Sequence, residues 1–178
     1  MLAAGLAGCN PYLAATTVVS QTYDAATDLR SASTQEADIQ IEVQIKAALL
    51  ASPVKGTSGI DAWCRQGIVV LAGVVPSGSS AGQEAVRLAR ETSGVKRVQT
   101  YFVSNRPSWT SDFETKEEIR AVLVADPSLM SGRVDLGVYA GHVVLVGVVA
   151  SRQKAEQFVA SARTISGVVS VTSFIQTI

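Results

Sequence analysis

The sequence predicts an α/β chain, an α+β sandwich built from two tandem αββαβ units. Three observations predict it. Residues 67–75 read GIVVLAGVV and residues 141–149 read GHVVLVGVV, identical at seven of nine positions with an offset of 74. The same offset carries Ile45, Ala47 and Leu49 onto Ile119, Ala121 and Leu123, and Ile60-Asp61 onto Val134-Asp135. An offset of 73 carries Ala89-Arg90 onto Ala162-Arg163 and Ser93-Gly94-Val95 onto Ser166-Gly167-Val168, so one residue is lost in a loop between. An internal repeat of this length fixes the architecture before any local reading does.

The elements follow in order. Ser33 and Glu36 have the spacing of a capping box, and Ile41, Ile45, Ala48 and Leu49 then recur at helical spacing. Ser52-Pro53 and the GTSG stretch at 56–59 break that helix. IDAWCR at 60–65 alternates as a strand. The duplicated stretch that follows is apolar on both faces, as a central strand should be. Gly73 and Gly147 within it are expected where a helix crosses close to the sheet. PSGSS at 76–80 turns the chain, and Ala81, Ala85, Leu88 and Ala89 form a helical stripe. Gly94 is expected to cap that helix in the left-handed conformation, with Val95 as its apolar contact. VKRVQTYFV at 95–103 is the last strand.

The second unit repeats the order. Thr115 and Glu118 form the capping-box pair, Ile119, Val122 and Leu123 face inward, and Pro127 ends the helix. Strands follow at 133–139 and 142–150. Ala155, Phe158, Val159 and Ala162 make the second stripe, Gly167 caps it, and VVSVTSFI at 168–175 closes the unit. The boundaries expected are a lipobox at 1–9, a tether at 10–32, units at 33–104 and 112–178, and a linker at 105–111. A single unit is small enough to be marginal alone, so the two are expected to pack together.

The composition narrows the function classes. Fifteen basic residues balance fifteen acidic ones, so no global field draws the chain to nucleic acid or to an acidic surface. Two cysteines and one histidine supply neither a disulfide framework nor a zinc site, and no metal or cofactor is expected. Nothing in the body of the chain approaches the roughly 20 apolar residues that span a bilayer.

The start of the chain reads MLAAGLAGCN. Leu6-Ala7-Gly8-Cys9 resembles a bacterial lipobox, which makes Cys9 the candidate lipidation site. Only eight residues precede Cys9 and none is basic, so the start reads as trimmed or misassigned. Asn10 stands where an aspartate would imply retention in the inner membrane, which leaves the outer membrane, facing the periplasm. Cys64 then has no partner. It shares the alternating face of Ile60 and Ala62 and reads as a buried, inert thiol, with Arg65 pointing to the other face.

The repeated pattern resembles the BON domain (bacterial OsmY and nodulation). The residues that carry the resemblance are Val69-Leu71-Gly73-Val75 and Val143-Leu145-Gly147-Val149, with the ends Gly94-Val95-Val98 and Gly167-Val168-Val171. Residues 25–49 also resemble the entry to the first domain of dual-BON outer-membrane lipoproteins, the division- and outer-membrane-stress-associated lipid-binding group. The resemblance implies a three-stranded mixed sheet packed by two helices in each unit. It implies a non-enzymatic module that contacts phospholipid or envelope proteins. In that group lipid contact belongs to the first helix of the second domain, where an aromatic residue stands near the start. The nearest aromatics here are Trp109 and Phe113, and the aligned position is Glu114 or its neighbour.

Trp109, Phe113, Lys116 and Arg120 are therefore the candidate lipid-binding residues, because aromatics suit the membrane interface and cations suit anionic headgroups. Lipid on Cys9 and a weak patch on the second unit would together give stable attachment. The alternative is a protein-protein adaptor that binds envelope proteins through sheet edges or through Trp63, Tyr101 and Tyr139. GSSAG at 78–82 matches the G-x-S-x-G elbow, and Ser80, Asp135 and His142 run in hydrolase order. That fold needs a larger parallel sheet, so Ser80 with Gln83 reads as a helix cap and a small esterase is the remote alternative. The G-x-x-G form of GTSG lies between a helix and a strand, which does not suit an RNA clamp.

Overall fold

A computed structural model describes residues 28–104, 109–125 and 132–178, with nothing to be said of the side chains at 109–110 and 132. Cys9 and the tether expected at 10–32, apart from its last five residues, lie outside the described residues, as does Pro127. The first unit runs α1 (Ala32–Ala51), a short 3-10 turn (Thr57–Gly59), β1 (Ile60–Arg65), β2 (Ile68–Val74), α2 (Ala81–Glu91) and β3 (Arg97–Val103). The second runs α3 (Trp109–Ala125), β4 (Gly132–Tyr139), β5 (His142–Val149), α4 (Arg152–Arg163) and β6 (Ser170–Thr177). The central strand of each sheet is β2 or β5, antiparallel to the strand before it and parallel to the strand after it.

The central strands are apolar on both faces for two different reasons. Val69 and Leu71 face α1 and α2, in a core with Ile41, Ile45, Leu49, Ala85 and Ala89. Val143, Leu145 and Val149 face α3 and α4, with Ile119, Phe158 and Ala162. The alternate residues, Val70 and Ala72 on one strand and Val144 and Val146 on the other, meet in a third core that also holds Val103 and Tyr139. The two sheets therefore pack face to face, and each central strand is buried by helices on one side and by the other sheet on the opposite side.

Several local expectations need correction. The cap of α1 is Ser31, whose hydroxyl accepts from the Thr34 backbone N–H; Ser33 lies within the helix. Helix α3 begins at Trp109, inside the expected linker, so Thr115 is a buried mid-helix residue and cannot cap. Ser80 precedes α2 without a side-chain capping bond, and Ser79 Oγ accepts from Ala81 N instead. Gly94 and Gly167 are left-handed (φ +88° and +83°) but stand beyond a short turn after their helices. Gly73 and Gly147 are not crossed by a helix. A Cβ at Gly73 would lie 2.8 Å from the Gly59 carbonyl oxygen, and one at Gly147 would meet the Arg133 carbonyl. The crowding comes from the start of the neighbouring antiparallel strand.

The faces of β1 and β4 that meet across the interface form a pseudo-twofold pattern. Tyr139 Oη donates to Asp61 Oδ2 at 2.6 Å, and the Arg65 guanidinium donates to Asp135. By the repeat offset, Asp61 is equivalent to Asp135 and Arg65 to Tyr139, so the two bonds are one contact made twice. On the axis between them a Cβ at Gly137 would lie 2.9 Å from Trp63 Cη2, and Gly137 is the repeat equivalent of Trp63 itself. This is the geometry of an isologous dimer interface held within one chain. A bulky residue can sit at such an axis only opposite a small one.

Candidate functional site

Helix α3 turns one face inward and another outward. Asp112, Thr115 and Ile119 are buried, whereas Phe113 is 65% exposed and Val124 is 75% exposed. Phe113, Lys116, Arg120 and Val124 follow at helical spacing, so three of the four candidate residues share one outer stripe. Trp109 opens the same helix. Arg120 pairs with Glu117 at 3.0 Å, an exposed contact of small energetic weight. Helix α1 carries the matching stripe at the matching positions: Ile39, Lys46 and Leu50, with Val43 between them. Ile39 is 55% exposed and Leu50 is 71% exposed.

The two stripes flank a cleft at the β1/β4 edge of the sandwich. Its volume is about 330 Å³, and it is lined by Lys46 from α1, Lys116, Arg120 and Val124 from α3, and Trp63 and Asp135 from the strands below. A second cleft of about 180 Å³ continues from it along α1, sharing Lys46, Trp63 and Asp135. Lys46 and Lys116 have no ion-pair partner among the described residues. The carboxylates at the base are engaged: Asp61 takes the Tyr139 hydroxyl, and Asp135 takes Arg65.

Two residues that sequence reasoning passed over tie the helices to the hairpin turns. Asp38 is buried on α1 and accepts from the backbone N–H groups of Gln66 (2.7 Å) and Gly67 (2.9 Å). Asp112 on α3 does the same for Ala140 and Gly141, each at 2.8 Å. These are the two-residue turns of the β1–β2 and β4–β5 hairpins, with positive φ at both positions as a type I′ turn requires. Gln66 and Ala140 are poor residues for that conformation. A carboxylate delivered by the helix offsets the strain and ties the helix to the hairpin. The signal was present, since Asp38 and Asp112 stand 74 apart like the rest of the repeat. Arg65 points to the face opposite Cys64, as expected, and is buried there, bonding Glu42 at 2.7 Å as well as Asp135.

The remaining candidates fall into place. Cys64 is fully buried and donates to Asp38 Oδ1 at 3.2 Å; burial, reinforced by that carboxylate, pushes its thiol up to about 12. Tyr139 is buried in the core between the sheets, and Trp63 and Tyr101 are half-buried against it, with Trp63 lining the cleft. Ser80, Asp135 and His142 are not assembled as a triad. Ser80 is exposed at the start of α2, Asp135 is tied to Arg65, and His142 Nδ1 bonds Ser170 Oγ at 2.8 Å with Tyr101 Oη at 3.3 Å. The GTSG stretch forms the 3-10 turn before β1, and Thr57 Oγ1 within it donates to the Leu49 carbonyl. No group of metal-ligating side chains occurs among the described residues, and no described helix is long and apolar enough to cross a membrane.

Two three-stranded mixed sheets with paired helices, repeated in tandem, define a two-module α/β protein. The chain belongs to the BON domain family, whose profile matches residues 37–104 and 111–178. It is 30% identical over 146 residues to the osmotically-inducible protein Y of Escherichia coli (strain K12), covering 79% of this chain and 72% of that protein. Among solved structures, the C-terminal domain of CdsD, a structural protein of the type III secretion system of Chlamydia trachomatis, is 17% identical. It covers 79% of this chain and 67% of that one, with a TM-score of 0.33. A second structure of CdsD gives the same score over 63% of its length. Superposition this loose establishes no shared arrangement and no shared role.

Proposed function

We propose that this protein is a non-catalytic envelope-maintenance factor that contacts membrane phospholipid through the outer face of α3. The observation that carries the reading is the exposed Phe113–Lys116–Arg120–Val124 stripe, which pairs apolar side chains with cations on a helix whose other face is fixed in the fold. An amphipathic surface of this kind suits the boundary between headgroups and acyl chains. The lipobox resemblance at Cys9 supplies a second, covalent attachment to the outer membrane, with the modules in the periplasm. Membership of the BON domain family supports a binding role without turnover, and the osmotic induction named for the Escherichia coli relative fits a function in envelope stress.

The test is co-sedimentation of the full chain, carrying Cys9→Ser so that no acyl group contributes, with phosphatidylglycerol and phosphatidylcholine vesicles. Binding to the anionic vesicles that weakens with salt, and that drops at least tenfold in Phe113→Ala or Trp109→Ala, is the expected result. Equal binding by these variants, or none by the parent, would remove α3 from the reading and direct attention to protein partners.

A further inference from the structure

We infer that the cleft between α1 and α3 is a binding site for the phosphate ester of an anionic lipid headgroup, completed by Lys46 of the first domain. The inference rests on the lipid reading above and changes its geometry, because contact becomes a property of both domains together. Lys46 and Arg120 are equivalent positions of the repeat, and the pseudo-twofold arrangement brings them to opposite sides of one cleft over Trp63. The third cation departs from the symmetry. Lys116 is the equivalent of Glu42, and whereas Glu42 is held by Arg65, Lys116 has no partner among the described residues. The second domain has thus gained a free cation where the first keeps a neutralised carboxylate.

The acidic residues of the cleft reduce this set without cancelling it. Asp135 is shared by Arg65 and the Arg133 guanidinium at 3.8 Å, the neutral Tyr139 hydroxyl beside Asp61 does not offset its carboxylate, and Arg120 is partly offset by Glu117, which leaves Lys46 and Lys116 in excess over Asp61. A volume of about 330 Å³ lies near the lower end of small-molecule sites. It admits a headgroup and not a pair of acyl chains. The chains would remain outside, beside the exposed Val124 that lines the cleft and Leu50, which follows Lys46 by four residues on α1 and is likewise exposed. The indole of Trp63 at the base offers an apolar wall beside the phosphate, and gives the site a reporter.

The experiment uses the full Cys9→Ser chain with phosphatidylglycerol vesicles, and sn-glycerol 3-phosphate as a soluble probe. The indole N–H of Trp63, assigned against Trp109→Phe, is followed by NMR. Lys46→Gln should weaken vesicle binding about fivefold, the effect of one cation near an anionic surface. Lys55→Gln, an exposed lysine outside the cleft with the same change of charge, should change binding less than twofold. Glycerol phosphate should shift Trp63 in the parent and not in Lys46→Gln. Equal losses in the two lysine variants, or a Trp63 signal that no probe moves, would overturn the cleft. Parent binding lost in Phe113→Ala but unchanged in Lys46→Gln would overturn the cleft and leave the α3 reading standing. A Trp63 response to glycerol phosphate without vesicle binding would retain a phosphate-ester site, overturning both its lipid source and the α3 reading.

Discussion

The two domains share a skeleton and part company at particular positions of the joint between them. Several positions of the helix–sheet cores are kept: Ile45 with Ile119, Leu71 with Leu145, Asp38 with Asp112. At the joint Val70 and Val144 are likewise kept, but other positions that face the other domain have diverged as complements. Trp63 meets Gly137, Arg65 is matched by Tyr139, and Ile68 by His142. A symmetric interface would place two like residues at its axis. Divergence between the copies lets one be large and the other small. The lesson is that duplication sets the frame, while the joint between the copies is free to become specific. The cleft beside that joint inherits the asymmetry through Glu42 and Lys116.

Perturbations of four kinds probe the comparison, and the largest effect should come from the joint. Arg65→Ala leaves Glu42 and Asp135 without their shared cation and should cost about 3 kcal/mol in urea unfolding, the lower end for a broken buried pair because both carboxylates keep some solvent. Next is the carboxylate under each hairpin. Asp38→Ala strips two turn N–H groups and takes one of two carboxylates from the buried Arg30, which keeps Asp28, so about 2–3 kcal/mol is expected by thermal or urea denaturation. Asp112→Ala strips two N–H groups and should cost nearer 2 kcal/mol. A larger loss from Asp112→Ala would reverse the ranking of the two domains.

The axis comes third. In Gly137→Ala the new methyl would stand 2.6 Å from Tyr139 Oη, which is held by Asp61, and 2.9 Å from Trp63, packed in the same core, so about 1–2 kcal/mol is expected. Pairing it with Trp63→Phe should recover part of that loss, which a double-mutant cycle would read. The smallest effects are chemical. Burial opposes ionisation of Asp38, yet the N–H groups of Gly67 and Gln66, the Cys64 thiol and Arg30 together hold its carboxyl below the ordinary value. The stability it contributes is therefore present above about pH 4, the ordinary aspartate range, and is lost as pH falls through the depressed value. Asp38→Asn should flatten the acid limb of the stability profile. Cys64 should resist iodoacetamide at pH 8 in the folded protein and react once urea unfolds it.

Element order, the two central strands and the inert cysteine were legible in the sequence because each depends on local period or on the repeat. Helix starts were less so. The capping-box spacing of Ser33 and Thr115 competed with acceptors and contacts that spacing does not reveal, and the helices begin earlier, at Ala32 behind the Ser31 cap and at Trp109. Phe113, Lys116 and Arg120 were named from residue type and resemblance, and the helix places them on one stripe. The burial of Tyr139 was not legible, because nothing local distinguishes a strand face covered by solvent from one covered by another sheet.

By itself, the sequence determined that there are two copies, what elements each contains and which strand is central, because hydrophobic period and self-similarity are properties of a linear chain. Only the tertiary structure decided how the copies meet: sheet to sheet, Trp63 over Gly137, Arg65 bridged to Asp135 and Lys46 brought beside Arg120. Those contacts join residues about 70 positions apart. Their partners are chosen by the rotation of one domain on the other, which no local pattern encodes.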